Sequence, residues 1–247
     1  MTTPTTLPDF DLAPLQGFDP AALDTTQPLP RFILVLATVF NDLKSAWYLV
    51  ERVRDAGAVA AGKLAWRGQV AGMRGHLTRT IAGILHELMV YLDKHQDVLA
   101  LPEFAQLLGK LDRPARAAWD EVAKVAASSY AGQTPVTSDA KLLLFIRNNL
   151  GFHYGGKRLA QGFREFFQDT SIELHERAVV SLGDSMEETR FYFADAAVEE
   201  GLTVATGLST KDLDKRLSDI AANVNHALRF LVGTYISTSA TLTPYPK

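Results

Sequence analysis

Apolar side chains return at three- and four-residue steps through most of this chain, and that period restricts it to packed helices. Phe32, Leu36, Val39, Phe40, Leu43, Trp47 and Val50 mark one long amphipathic helix that ends near Gly57. Leu77, Ile81, Ile84, Leu85, Leu88, Met89 and Leu92 repeat the spacing, so residues 64 to 95 form an opposing helix and the two make a helical hairpin. Leu213, Leu217, Ile220, Val224, Leu228, Leu231 and Val232 set a closing helix over Asp212 to Ile236. Each stripe needs a partner to cover it, and together they predict a mainly α helical bundle.

Helix breakers divide the remainder. Residues 103 to 128 read as helix, with a break expected after Asp112-Arg113 because Pro114 lacks a backbone donor and clashes with the preceding turn. SSYAGQTPVTSD, residues 128 to 139, is a loop from which Thr137 or Ser138 can cap the next helix, with Asp139 in its first turn. That helix carries Leu142 to Ile146, apolar almost all round and expected to be deeply buried. Gly151 and Gly155-Gly156 are exits from helical geometry, and Leu159 to Phe167 read as helix again. Ala178 to Leu182 and Thr189 to Phe193, flanking a Gly-Asp-Ser turn, read as a small β-hairpin insertion over 177 to 194. Residues 1 to 30 are rich in Thr and Pro and are expected to be a flexible arm with a docking segment at Phe10 to Leu15, and 238 to 247 a C-terminal tail. One helical domain over 31 to 237 lies between them.

The charge balance narrows the function classes. With 25 basic against 28 acidic residues, no global field draws the protein to nucleic acid or to an anionic membrane, so any polyanion site must be local. The chain has no cysteine, which removes disulfides, thiolate metal sites and cysteine nucleophiles. Its longest unbroken apolar run, Phe32 to Phe40, is far short of the roughly 18 residues of a membrane span, and it sits too far in to resemble a signal peptide. A soluble cytoplasmic protein without a membrane partner is expected.

Several catalytic patterns begin and fail. His86-Glu87 opens like a zinc-protease helix, but the second histidine position is Val90, which leaves a histidine on a helix face. Gly183-Asp184-Ser185-Met186-Glu187 lacks the closing glycine of a nucleophile elbow and reads as a turn. Gly155-Gly156-Lys157-Arg158 lacks phosphate-loop spacing, Glu173 and His175 stand two apart and point to different sides of a helix, and His76, His95 and His226 stand alone. No cofactor or metal is called for.

What remains is FIRNNLGFHYGGKR, residues 145 to 158, a polar cluster directly behind an apolar helix. On an unbroken helix Arg147 and His153 would lie about 120° apart, so they meet only if the backbone bends between them, and Gly151 is the place for that. The plain alternative is a capped helix end, with Arg147 balancing the helix dipole, the asparagines satisfying loose carbonyls, and Phe152 and Tyr154 packed on the core.

Within this stretch IRNNLGFHY, residues 146 to 154, resembles the Arg-x(4–6)-His motif of the HEPN superfamily: Arg147, the polar Asn148 directly after it, and His153 following five intervening residues. The resemblance implies a HEPN-like helical bundle. It further implies a metal-independent endoribonuclease, acting as a toxin or defence component, that dimerises so that two arginine-histidine pairs face one cleft; an antitoxin or other protein partner goes with such a system. Some members of the family are instead non-catalytic modules that bind RNA, nucleotide or protein. In the catalytic reading Arg147, His153 and Asn148 do the chemistry, while Tyr154, Lys157 and Arg158 bind substrate. His153 suits proton transfer near neutrality, and Arg147 presents a fork of donors to phosphate oxygens. Asn148 could orient His153 or donate to phosphate, Tyr154 could stack on a base, and Lys157, Arg158 and Arg164 would form a basic rim.

Overall fold

The computed structural model describes residues 16–59, 64–130, 138–148, 156–167, 180–186 and 189–244. Two helices above 30 residues open the bundle: α1 (Pro28–Val59) and α2 (Leu64–Lys94), which pack along each other as the expected hairpin. A single helical turn, α3 (Gln96–Leu99), then α4 (Pro102–Gly109) and α5 (Arg113–Tyr130) follow. The break expected at Pro114 is present between α4 and α5. Proline is favourable in a first turn, where its missing donor is unused, and the Ala115 backbone donates to Asp112 Oδ1 at 2.8 Å to cap the new helix. Next come α6 (Ser138–Ile146), α7 (Gly156–Phe167), α8 (Tyr192–Thr206) and α9 (Thr210–Ser239).

The core lies where α1, α2, α5 and α9 meet. Phe32, Leu36, Leu85, Leu88, Leu92, Leu143, Ile146, Val224, Leu228 and Leu231 are almost fully removed from solvent. Rings lock its base: Phe32 stacks on Tyr91 at 5.4 Å and meets Phe104 edge-on at 5.8 Å, and Phe104 meets Trp119 at 5.4 Å. Leu142, Leu143 and Ile146 are buried as expected, but Leu144 and Phe145 are only half-buried. The reason is that α6 packs chiefly on α2 and α5, so its outer side is incompletely covered. By length and composition alone α1 could cross a membrane; in the fold 22% of that apolar window is buried, and Phe32, Ile33, Leu36 and Leu43 of α1, which packs on α2 and α9, are in the core.

The β content is small. Within the expected arm, residues 16–30 are ordered against the bundle: β1 (Gln16–Gly17), a 3-10 turn (Pro20–Ala22) capped by Asp19, and the first residues of α1, with Leu23 and Leu29 packed on the core. β1 pairs antiparallel with β2 (Thr243–Pro244), which joins the expected tail to the expected arm. Among the described residues of the 177 to 194 segment the β character is one antiparallel bridge, Ser181 with Arg190, whose backbone hydrogen bonds measure 2.8 and 2.9 Å. Tyr192 and Phe193 do not extend it; they open α8, where Phe193 meets Phe163 of α7 edge-on at 6.3 Å. At its other end α8 stops at Gly207, whose φ of +67° is the left-handed closure that glycine adopts without strain. Ser209 then caps α9, its hydroxyl accepting from the Asp212 backbone.

Candidate functional site

Three features place Arg147. Asp139, in the first turn of α6, receives the Arg216 guanidinium of α9 at 2.6 to 2.7 Å, which fixes the start of that helix. The apolar side of α6 then lies against α2 and α5. At its end the helix widens into a π-type turn at Arg147 and Asn148, a local irregularity that often occurs at functional sites.

Opposite that turn stands the last third of α2. Arg147 Nε lies 3.4 Å from Glu87 Oε1, and the same carboxylate oxygen lies 3.6 Å from His86 Nδ1. Arg147 Nη1 also donates to Asn148 Oδ1 at 3.1 Å. His86 is 5% exposed, whereas the side chains of Arg147 and Glu87 are 34% and 60% exposed. Burial, with a smaller contribution from the Arg147 charge, holds the imidazole pKa below its usual value even though Glu87 pulls the other way. His86 is therefore neutral at pH 7, and the carboxylate faces one cation, Arg147. The corner amounts to a partly exposed guanidinium within ion-pair distance of a carboxylate and hydrogen-bonded to an amide, with its Nε buried and making no hydrogen bond.

The other expected site residues separate into two groups. Asn148 adjoins Arg147 and is exposed; Lys157 is exposed on the first turn of α7, one helical turn or two from Gln161 and Arg164, which with it border a shallow depression. His153 and Tyr154, and the Arg158 side chain, lie outside the described residues, as does Gly151. Glu87 is the residue that sequence reasoning missed. Its pairing with Arg147 spans 60 positions, and His86-Glu87 drew attention only as a failed zinc pattern. The available signal was a histidine set among the apolar residues of α2, and His86 is the one buried polar or charged residue among those described.

Elsewhere, a cavity of about 360 Å³ opens between α2, α8 and α9 beside the Arg74–Asp214 ion pair, and one of about 420 Å³ adjoins it toward α1; Arg147 borders neither. Among the described residues no cluster of three or more histidine and carboxylate side chains could hold a metal ion. No family model, curated protein sequence or solved structure matches this chain.

Proposed function

We propose that the chain is a HEPN-like, metal-independent endoribonuclease of the cytoplasm, working as a homodimer in a toxin or defence setting. The observation that carries the reading is the partly exposed Arg147, paired with Glu87 and hydrogen-bonded to Asn148 at a π-type turn, six positions before His153 in the sequence. RNA cleavage without a metal needs cations at the phosphate, whose charge rises in the transition state, and a proton-transfer group for the attacking 2′-hydroxyl. Arg147 supplies the first and His153 the second. Asn148 orients the pair, Tyr154 stacks on a base, and Lys157 and Arg158 form the basic rim that a net charge of −3 makes necessary.

A second reading, a non-catalytic HEPN-like module that binds RNA, nucleotide or a protein such as an antitoxin, draws on the Glu87 carboxylate, which already balances the Arg147 charge. Incubating the purified protein with labelled RNA in excess EDTA separates the two. The nuclease reading expects products ending in 2′,3′-cyclic phosphate, and a rate loss on the order of a hundredfold or more in His153→Ala and in Arg147→Ala with helical content unchanged. Undiminished cutting by both folded variants ends it, and binding without cutting transfers the site to the second reading.

A further inference from the structure

We infer that the two chambers flanking the Arg74–Asp214 ion pair form one binding site for an amphipathic carboxylate, a molecule with a single carboxylate on an apolar chain. Arg147 borders neither chamber, so the site is separate from the ribonuclease corner. The chambers measure about 360 and 420 Å³, each within the range that small-molecule sites take, and they share Val70, Arg74, Thr78 and Asp214 as a common wall.

The polar groups on that wall choose the sign of the ligand. Arg74 Nη2 donates to Asp214 Oδ2 and Thr78 Oγ1 donates to Asp214 Oδ1 at 3.3 Å, so both carboxylate oxygens are engaged. The Asp214 side chain is 20% exposed and that of Arg74 54%, which leaves the arginine the more accessible partner. Among the described residues Arg74 has no other hydrogen-bond partner, so its Nε and Nη1 donors remain for a second anion. The other carboxylates lining the chambers already meet donors: Asp195 meets Arg190, Glu51 meets Arg54, and Glu199 accepts from the Thr210 hydroxyl. A cationic ligand would have to displace one of these, whereas an anion takes donors that Arg74 has not used.

Apolar walls supply the rest. On the α1 side the lining includes Trp47, Val50, Val53, Ile81 and Leu217, of which Val53, Ile81 and Leu217 are buried. On the other side Phe166 of α7 and Tyr192, Val198 and Leu202 of α8 border the chamber. With its head at Arg74, the ligand lays its chain in the α1-side chamber, where apolar carbon replaces water against apolar side chains. The match is that of an ordinary small-molecule site: a mostly apolar hollow with one fixed polar group to orient the occupant.

Calorimetric titration of the full chain with octanoate, below its micelle-forming concentration, is expected to show one saturable site. 1-Octanol, which keeps the chain and lacks the charge, is expected to bind about tenfold more weakly or worse. Two substitutions at the shared wall should move octanoate affinity in opposite directions. Arg74→Gln weakens it by about tenfold or more, while Asp214→Asn, which keeps an acceptor for Thr78 and removes a competing negative charge, tightens it by about threefold. Ser218→Phe, on the lining of the α1-side chamber, fills the space for the chain and weakens binding by about tenfold with helical content unchanged. Absence of saturable octanoate binding, equal affinity for 1-octanol, failure of Asp214→Asn to tighten binding, or unchanged affinity in Ser218→Phe overturns the inference. Because Asp214→Asn is read as a gain, a failure of Arg74→Gln to fold still leaves a decisive result.

Discussion

The four long helices α1, α2, α5 and α9 and the pair α7–α8 are both helical layers, but different forces hold them. The long helices bury large branched and aromatic side chains, among them Leu88, Leu228 and Leu231, and their cohesion comes from apolar area removed from water. Where α7 crosses α8 the buried residues among those described are Gly162, Ala197, Gly201 and Leu202. There the backbones themselves touch: a Cβ added at Gly162 would lie 2.1 Å from the Ala197 carbonyl oxygen and 2.5 Å from the Gly201 nitrogen. Polar links tie α8 to its flanks, with Arg190 Nε donating to Asp195 at 2.9 Å and Thr210 Oγ1 of α9 donating to Glu199 at 2.8 Å. A layer built on side-chain volume fails when volume is removed, whereas one built on close approach fails when volume is added.

That contrast can be broken from either side. Truncating Leu228, fully buried on α9, should cost about 2 to 5 kcal/mol of global stability, read as a lower urea midpoint with unchanged slope. A loss below about 1 kcal/mol would mean that the core there is loosely packed. Adding one methyl at Gly162 should separate α7 from α8 at a cost of about 1 to 3 kcal/mol. Hydrogen exchange should show it as faster opening confined to those two helices while the centre of α9 stays protected; equal protection throughout would remove the distinction between the layers. The smallest effect tests the joint between them. Replacing Ser209 by Ala deletes the hydroxyl that caps α9 and should cost about 1 kcal/mol, measured by thermal unfolding.

The same difference decides what could be read from the chain. Large side chains at helical spacing produce a visible period, which is why α1, α2, α5 and α9 and the Pro114 break were legible. The α7–α8 crossing depends on small residues that carry almost no hydrophobic signal. In α8 the run Ala194 to Gly201 mixes alanine with acids, and the aromatics Phe191, Tyr192 and Phe193 just before it imitate a strand. The β1–β2 pairing joins residues more than 220 positions apart, beyond any local pattern.

At the candidate site, Arg147 and Asn148 stood out because their chemistry is written in consecutive residues. Glu87 could not, since its role exists only once α6 lies across α2. The same docking explains the half-buried Leu144 and Phe145: a helix seated on part of the bundle exposes one side, and Arg147 follows directly from that exposed end.

The short β1–β2 ladder has a topological effect. By pairing Gln16 with Pro244 and Gly17 with Thr243 in antiparallel register, it turns the polypeptide between them into a ring clasped by one tiny seam. Because antiparallel partners run in opposite directions, the upstream bond of Gln16 and the downstream bond of Pro244 point out of the same end of that seam, about 5 Å apart. Anything joined to either flank therefore departs from a common doorway, and two such attachments would begin as immediate neighbours.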